Sequence, residues 1–460
     1  MRDQTGEPEA GTEAADEAEV ADVAVVGGGL GGLCAAGLLA RRGLSVTLLE
    51  RAPALGGRAA THEGDGFLFN LGAHALYRGG AAARVLADLG VPWRGAPPPA
   101  AGLAIDGDQV HRLPSTTSDL LRTGLLTLGA KVEGARLLAG LGRVATAPLA
   151  GVALGDWLAR RVADEALRAT LQAFFRLVTY TDAPARLSAG AAIAQLQLGQ
   201  RRGVAYLDGG WQTLVDGAAA QARRAGAVLR VGAPVRAAEP QSGGGYRLRL
   251  DGARSLRCQA LVLATGPAAA AALLPSPALS AWAAAAVPVK AACLDVALTH
   301  LPSPFATFAL GIDRPLYLSV HSLRARLAPP GAALVSTMNY LPPGEPSDPA
   351  RDRAELEALL DRLQPGWRAA LVEARYLPAM VAQGALVLAE GGGLAGRPGP
   401  AVQGAPGAFV VGDWVGPEGL LLDGALASAE AASGLVAEKL EAAPAPRHAR
   451  PAVARRAGAV

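Results

Sequence analysis

A single stretch near the start of the chain limits what this protein can fold into. The apolar run Val23–Val26 leads into the pattern Gly27-x-Gly29-x-x-Gly32, and an alanine- and leucine-rich segment follows directly. This order predicts a strand, a tight turn and a helix. One glycine makes the turn, one lets the backbone approach a pyrophosphate, and one lets the helix pack closely on the strand. The free N–H groups of the helix N-terminus then face the phosphates.

The continuation of this stretch points to the same kind of ligand. A second predicted strand, Ser45–Leu49, ends at Glu50, whose carboxylate can accept hydrogen bonds from the hydroxyls of a ribose. We therefore predict a dinucleotide site at this end of the chain. Taken alone, the stretch allows either NAD or FAD, because both cofactors present a ribose and a pyrophosphate.

A second glycine pattern near the end of the chain is predicted to be a loop. Gly391-x-Gly393-x-x-Gly396 has the right spacing, but Arg397-Pro398-Gly399-Pro400 comes next. Proline removes a backbone donor and disfavours helical geometry in the residue before it, so no helix can begin there. A chance match of this kind is expected in a chain with 58 glycines.

The length and charge of the chain set wide bounds. A chain of 460 residues predicts two or three domains. Its net charge of +3 gives no electrostatic footprint for nucleic acid, so we expect no nucleic-acid partner. The three cysteines, Cys34, Cys258 and Cys293, lie in apolar sequence and form no Cys-x-x-Cys pair. We interpret them as buried free thiols and predict no metal site.

Both ends of the chain read as disordered tails. Residues 1–20 are rich in Asp and Glu, unlike a signal peptide, and residues 443–460 are rich in Pro and Arg. No apolar run reaches membrane-spanning length, and we expect a cytoplasmic protein.

Residues 115–149 combine helical leucine periodicity with a basic face, which contains Arg122, Lys131, Arg136 and Arg143. Two interpretations stay open. The segment is either a helical lid packed on its own domain or a surface that makes a peripheral contact with membrane lipid.

The remaining periodicity predicts a chain that returns twice to its first domain. Helical patterns cover 81–90, 155–180 without a break, 211–225, 351–373 and 423–440. Strand patterns cover 67–69, 227–231, 260–264, 289–298, 305–320, 333–340 and 408–411, and residues 246–250 with 255–258 read as a hairpin. The predicted fold class is α/β. A Rossmann-like domain would combine 21–90, 205–287 and 395–442, and an inserted α+β substrate domain with an antiparallel sheet and helices would combine 91–204 and 288–394.

The chain resembles the FAD-dependent amine oxidase superfamily, and within it the phytoene desaturase and protoporphyrinogen oxidase branch, over almost its whole length outside the tails. The resemblance rests on the fingerprint with Glu50, Gly56-Gly57-Arg58, Asn70-Leu71-Gly72-Ala73-His74, the segment from Tyr206 through Val235 to Ala264-Thr265-Gly266, and Val411-Gly412-Asp413. Asn70 stands where an Asp is usual. The resemblance implies FAD as the cofactor, held by a GR2-type Rossmann-like domain.

The resemblance also implies roles for single residues. Arg58 would meet the FAD pyrophosphate, Val235 would bind adenine through its backbone, and Asp413 would accept hydrogen bonds from the ribityl and pyrophosphate region. The predicted FAD-binding residues are Gly27, Gly29, Gly31, Gly32, Glu50, Arg51, Gly57, Arg58, Gly72, Ala73, His74, Val235, Thr265, Gly266, Gly412, Asp413 and Leu422.

A flavin would supply the redox chemistry, so the protein has to place a substrate C–H bond against the ring and exclude water. The chain shows no convincing second dinucleotide fold for a nicotinamide cofactor, so we predict that the substrate itself donates the electrons. The predicted reaction removes hydride from carbon in a hydrophobic small molecule, a polyene or polycyclic compound. Oxygen or a quinone would reoxidise the flavin.

Four residues are candidates for catalysis. Lys290 resembles the lysine that holds a water near the flavin in amine oxidases, although an exposed lysine at a strand start fits the pattern as well. His74 and Tyr77 would line the ring face, or they belong to the core or the surface. Trp414 follows Asp413 where amine-oxidising relatives often have an aromatic cage, but no matching tyrosine lies nearby, which argues against a small amine substrate.

Three other functions stay open at this point: a flavin-dependent isomerase without net redox, an amine oxidase, and a non-enzymatic binder of prenylated proteins. The intact glycines, Glu50 and Arg58 argue against the last of these. The sequence leaves the oligomeric state open.

Overall fold

The computed structural model describes residues 19–252 and 254–442. Its strands are β1 (Glu19–Val26), β2 (Val46–Leu49), β3 (Thr61–Gly64), β4 (Phe67–Asn70), β5 (Leu76–Tyr77), β6 (Gly95–Ala96), β7 (Leu103–Asp106), β8 (Gln109–Arg112), β9 (Val204–Leu207), β10 (Val228–Arg230), β11 (Ala237–Pro240), β12 (Tyr246–Arg249), β13 (Ser255–Leu263), β14 (Val289–Leu298), β15 (Phe308–Gly311), β16 (Leu316–Val320), β17 (Ala333–Leu341), β18 (Leu371–Gln383) and β19 (Ala408–Val410).

Its α-helices are α1 (Leu30–Arg41), α2 (Ala81–Asp88), α3 (Thr117–Arg122), α4 (Leu128–Leu141), α5 (Leu154–Arg161), α6 (Glu165–Thr179), α7 (Ala189–Arg202), α8 (Gln212–Arg224), α9 (Pro267–Leu273), α10 (Pro277–Ala285), α11 (Pro349–Leu363) and α12 (Leu421–Ala442).

β1 lies near the middle of the main sheet, whose order is β10-β2-β1-β13-β12-β11, with β19 joined beside β13. The strands β10, β2, β1, β13 and β19 run parallel to their neighbours in this group. Val23 and Val25 of β1 pack into one hydrophobic core, and Ala24 and Val26 pack into another. Both faces of the parallel sheet are covered, which explains why the strand is an unbroken apolar run.

β13 connects separate parts of the chain within this sheet. Its first residues, 255–258, pair with β12, and its last residues, 261–263, pair with β19. The predicted hairpin of residues 246–250 with 255–258 is confirmed, but the predicted separation of 255–258 from a second strand at 260–264 is wrong. A single nine-residue strand forms, and β1 pairs with it from Leu256 to Leu263.

The second sheet has the order β18-β14-β17-β16-β15-β7-β8. Its pairs are antiparallel, except that β15 and β7 run parallel. The helix α11 packs on β14, β17 and β18, while α3 to α7 form a helical group with its own hydrophobic core. An antiparallel sheet with separate helices is what the periodicity predicted for the middle of the chain.

Two helix predictions need correction, and one helix was missed. The predicted helix at 155–180 is two helices, because the Asp164 carboxylate caps a new one by accepting from the N–H of Leu167 at 2.9 Å. Helix α7, which Ser188 caps, was not predicted. The predicted helix at 351–373 ends at Leu363, and residues from Leu371 form β18.

The predicted acidic tail ends earlier than expected. Glu19 and Val20 belong to β1 and are paired with Leu256 and Arg257 of β13. The rest of both predicted tails lies outside the described residues. Within 19–252 and 254–442, no helix has the length and apolar character needed to cross a membrane.

Candidate FAD-binding and active site

A cavity of about 720 Å³ lies where β1, β2, β13 and β19 reach their carboxyl ends. Open parallel sheets bind ligands at this edge. Every residue of the predicted FAD-binding set except Gly72 lines the cavity, and so do Tyr77 and Trp414. The fold therefore brings together side chains that are scattered from the start to the end of the sequence.

Two glycines of the fingerprint are required by close contacts. Gly27 has a φ of +115°, and a Cβ on it would lie 2.4 Å from the carbonyl oxygen of Ala264. A Cβ on Gly32 would lie 2.0 Å from the carbonyl oxygen of Gly27. A Cβ on Gly29 would meet its nearest atom only at 3.9 Å, and this residue faces the cavity. The turn and the N-terminus of α1 thus form a cradle that fits a pyrophosphate.

Glu50 is held in place for a second contact with the same ligand. Its carboxylate accepts from the N–H of Gly28 at 2.6 Å and from the N–H of Ala52 at 2.8 Å. A carboxylate has about four acceptor positions, so positions remain for the two hydroxyls of a ribose.

Arg58 and Asp413 meet across the cavity. Nη1 of Arg58 donates to the Asp413 carboxylate at 2.6 Å, and the N–H of Gly384 donates to the same carboxylate at 3.1 Å. Asp413 is only 1% exposed, whereas the Arg58 side chain is 49% exposed. The charge of Asp413 raises the pKa of the Arg58 guanidinium. The sequence placed both residues against FAD, but it did not predict that they bind each other.

The predicted turn at Gly72 forms the wall between the two sheets. Gly72 has a φ of +83°, and a Cβ on it would lie 3.0 Å from Sγ of Cys293 and 3.0 Å from Cε of Met380. Gly72 itself is thus pressed against β14 and β18, and the next residues, Ala73 and His74, line the cavity. Gly72 therefore contributes to the site by positioning the turn that carries Ala73 and His74.

Asn70 makes contacts that an Asp, the usual residue at this position in the family, could also make. Its Oδ1 accepts from the backbone N–H of Trp211 at 3.0 Å and from Oγ1 of Thr61 at 2.7 Å. Both contacts require only an acceptor oxygen, which an amide and a carboxylate both supply.

Three polar side chains at this end of the cavity are tied to backbone carbonyls. Tyr180 donates its hydroxyl to Ala73 O at 3.1 Å, and Tyr77 donates to Val178 O at 3.2 Å. Nδ1 of His74 lies 2.9 Å from the carbonyl oxygen of Gly72, which assigns the Nδ1–H tautomer. Burial lowers the pKa of His74 and raises the pKa of both tyrosines, so all three are neutral near pH 7.

The structure does not bring Lys290 to the cavity. Lys290 lies on β14 between the buried residues Val289 and Ala291, and its side chain is exposed because alternate residues of a strand point to opposite faces. Trp414 lines the cavity, but its indole N–H donates to Thr265 O at 3.0 Å and its ring packs near Trp282 in the core. Trp414 therefore does not form half of an aromatic cage.

Some cavity residues were not predicted as site residues. Tyr180 ends α6 in the left-handed conformation with a φ of 57°, for which the sequence carries no clear signal. Met380 belongs to β18, a strand that was not predicted. Trp211 was noted only as the start of α8. Asp423 opens α12 beside the cavity, and an acidic residue in the first turn of the last helix was a usable signal.

The site has two chemically distinct ends. One end offers a phosphate cradle, a ribose acceptor and a paired arginine, and the other end is enclosed by aromatic and apolar side chains. This combination suits a protein that binds a dinucleotide and shields its reactive ring from water.

The comparisons with known proteins agree with this class. The family model described as "Flavin containing amine oxidoreductase" matches residues 30–437, and the chain belongs to that family. The FAD and oxidoreductase predictions are thereby confirmed at the level of the family. A carotenoid 3,4-desaturase from Haloarcula japonica is similar over 51 residues, with 59% identity, covering 11% of this chain and 10% of that protein.

Solved structures show the same fold. An oxidoreductase from Methanosarcina mazei superposes with a TM-score of 0.72 at 20% identity, over 90% of this chain and 99% of that one. Cyclohexylamine oxidase from Brevibacterium oxydans superposes with a TM-score of 0.65 at 19% identity, over 92% of this chain and 99% of that one.

Proposed function

We propose that this protein oxidises an apolar polyene of the carotenoid class. It removes hydride from a C–H bond and leaves a new C=C bond, with oxygen or a quinone as the final electron acceptor. FAD, when bound in the cavity, supplies the hydride acceptor. The residues of the chain bind and orient the substrate and exclude water.

The observation that carries this proposal is the state of the polar groups around the ring end of the cavity. Tyr77, His74 and Tyr180 each have a polar atom engaged with a backbone carbonyl, and their neighbours Ala73 and Met380 are apolar. A substrate carboxylate would lose its hydration there without gaining a donor from these three side chains, and a substrate ammonium would find only their neutral acceptor atoms. An apolar chain has no hydrogen bonds with water to lose on entering this end of the cavity, which favours a hydrocarbon substrate.

The alternatives have weaker support. An amine oxidase would gain from an aromatic cage, and Trp414 instead packs against the core. The name of the Haloarcula japonica relative also points to a carotenoid. A flavin-dependent isomerase without net redox and a non-enzymatic binder of prenylated protein remain as outcomes of the experiment below.

In this proposal the main sheet belongs to the domain that binds FAD, and the second sheet belongs to the domain that binds the substrate. The strands of the main sheet come from 21–90, 205–287 and 395–442, which we assign to the GR2-type Rossmann-like FAD domain. The strands of the second sheet come from 91–204 and 288–394, which we assign to the substrate domain.

We also place a membrane contact on α3 and α4, which would give access to a substrate dissolved in lipid. Leu121, Leu128, Val132 and Leu138 are 40 to 76% exposed on these helices. Arg122, Arg136 and Arg143 are exposed among them, and they are suited to anionic headgroups. Lys131 of the predicted basic face instead donates to Leu121 O and links the two helices.

The function is tested with the purified FAD-loaded protein and carotenoids dispersed in phospholipid vesicles. We expect anaerobic bleaching of the flavin absorbance by a carotenoid, and one new C=C bond for each molecule of acceptor reduced. Aliphatic amines of matched concentration should leave the absorbance unchanged. Isomerised product without acceptor consumption supports the isomerase, and a protein that takes up no FAD on reconstitution supports the prenyl binder; either outcome contradicts the proposal.

A further inference from the structure

A second cavity, of about 310 Å³, adjoins the FAD cavity, and Asp423 lines both of them. One face of α7 forms an apolar wall through Ala191, Ala194 and Leu198, and Leu394 and Leu420 complete it. None of the predicted FAD-binding residues lines this second cavity.

Gln195 brings an unused donor to this cavity. The residue is only 3% exposed, and its amide interacts with the Tyr77 hydroxyl. Nε2 has no other hydrogen-bond partner among the described residues. Since the amide nitrogen carries two N–H groups, a contact with Tyr77 would still leave one N–H to donate to a ligand. A buried donor without a partner is costly, and a ligand carbonyl would remove that cost.

Asp423 supplies a second polar group, and its position is fixed. Oδ1 accepts from the N–H of Ala82 at 2.8 Å. A Cβ on Gly80 would lie 2.1 Å from Oδ1, and one on Gly419 would lie 2.6 Å from Cβ of Asp423, so the glycines leave only this space. Burial raises the pKa of Asp423 to about 6; the charge of Glu418 adds to this rise, whereas the N–H of Ala82 and the charge of Arg84 oppose it. A carboxyl of this kind can pass a proton to a ligand oxygen and regain it from solvent.

The charges at the rim exclude an anionic ligand. Arg84 donates to Glu430 at 2.6 Å and to Glu418 at 3.4 Å, so its positive charge is already shared by two carboxylates. With Asp423 the group has three acids and one base. A neutral molecule with an apolar body and carbonyl oxygens fits this surface best.

We propose that this second cavity binds the quinone that accepts the electrons, with Gln195 donating to one carbonyl and Asp423 facing the other. The inference rests on the proposed oxidation of the substrate. Two electrons and one proton reach the quinone from the side of the FAD cavity, and Asp423 gives the second proton, which yields the hydroquinone. The substrate loses the same two electrons and two protons as its C=C bond forms.

The test measures binding of a tail-free benzoquinone, 2,3-dimethoxy-5-methyl-1,4-benzoquinone, to the oxidised FAD-loaded protein by calorimetry. We expect one site in the wild type. The substitution Ala194→Trp fills the cavity and should weaken binding by at least about tenfold. Gln200→Trp introduces the same side chain at an exposed position of α7 outside the cavity and should leave binding unchanged. Gln195→Leu, which removes the donor without adding volume, should weaken binding several-fold.

The reoxidation kinetics give a second readout. With prereduced protein, Ala194→Trp should slow reoxidation by the quinone while reoxidation by oxygen and reduction by substrate stay as in the wild type. Equal quinone binding by the wild type, Ala194→Trp and Gln195→Leu would overturn the inference and leave the proposed function standing. Quinone binding at this site in a protein that oxidises no carotenoid would refute the proposed function alone. If Ala194→Trp loses its FAD or its circular dichroism spectrum, Gln195→Leu decides the question.

Discussion

The guanidinium of Arg58 lies 2.6 Å from the carboxylate of Asp413, although 355 positions separate the two residues in the chain. Arg58 follows the second strand of the nucleotide fold, and Asp413 follows β19, the last strand to join the sheet. The N–H of Gly384 also donates to this carboxylate. The pair therefore connects the first and last parts of the FAD cavity at one point.

Replacing Arg58 by Gln should weaken both the fold and the binding of FAD. The buried Asp413 carboxylate would keep the hydrogen bond from Gly384 and the positive charge of Arg397 nearby, and Arg58 is half-exposed, so we expect a loss of about 1–2 kcal/mol in the free energy of unfolding of the flavin-free protein. FAD should bind at least about tenfold more weakly. Urea denaturation and fluorescence titration with FAD measure these effects. Arg236→Gln, which breaks an exposed pair with Asp251, is the control and should change neither quantity.

Replacing Gly32 by Ala should abolish FAD binding. The new Cβ would lie 2.0 Å from Gly27 O, so the turn and the first turn of α1 must separate, at a cost of about 1–3 kcal/mol. Gly399→Ala is a matched control because no atom of the described residues lies within 4 Å of its added Cβ. The flavin absorbance of the purified variants measures the difference. Equal FAD content in the two variants would show that this contact does not shape the cradle.

Replacing Tyr180 by Phe tests whether its hydroxyl serves the fold or the substrate. The variant loses the bond to Ala73 O, and we expect a stability loss of about 1 kcal/mol, a few-fold lower kcat and an unchanged KM. Tyr376→Phe removes a hydroxyl that donates to Pro349 O outside the cavity, and it should leave both kinetic constants unchanged. A large rise in KM for Tyr180→Phe would mean that the hydroxyl binds a polar substrate group.

His321 should make the fold sensitive to acid. Burial lowers the pKa of His321 to about 3, whereas an unfolded histidine titrates near 6.5. Between these values the unfolded chain binds the extra proton, so stability falls as the pH falls from about 6.5, by up to about 1.4 kcal/mol per pH unit. Phe at this position keeps the stacking on Tyr206 and removes the titration. As the pH is lowered from 7 to 4, the wild type should lose more unfolding free energy than His321→Phe, so the stability of the variant relative to the wild type should rise. A constant difference over this range would contradict the prediction.

The surface of α3 and α4 should bind anionic membranes. The double substitution Leu128→Ser and Val132→Ser removes two exposed apolar side chains, and we expect at least about tenfold weaker binding to phosphatidylglycerol vesicles in co-sedimentation. Val228→Ser changes a similarly exposed residue on β10 and should have no effect. Equal sedimentation with pure phosphatidylcholine vesicles would show that the arginines do not contribute.

The cofactor half of the site could be predicted because its requirements are local. Gly32 is fixed by a contact with Gly27 O within the turn, and Glu50 and Arg58 follow the second strand at close range. Gly27 meets the distant Ala264 O, but the spacing of the glycine fingerprint was enough to predict it. The substrate half depends on pairing between distant strands. The sequence analysis predicted no strand at β18, so its cavity residue Met380 was missed. β18 contains Pro378, but it lies at the sheet edge and pairs irregularly with β14 near this residue, which is where a strand tolerates proline.

Lys290 shows the same limit from the other direction. Lysine is rare in this chain, and Lys290 lies at the start of β14, so it was a candidate. The direction of its side chain, however, depends on which face of the strand is buried. That choice is made by β17 and β18, which pair with β14 from much later in the sequence. The sequence pattern of β14 alone therefore does not predict which of its faces is buried.

The late arrival of β19 in the main sheet has a consequence for biosynthesis. β19 pairs with β13, and α12 packs against α1, so the last of these elements to leave the ribosome closes a cavity whose first wall was made at the start of translation. A nascent chain that has not yet reached Asp413 lacks the residue that meets Arg58. We therefore expect flavin uptake to follow the synthesis of β19 and Asp413, and ribosome-bound chains stalled before residue 408 should stay colourless in cells supplied with excess FAD.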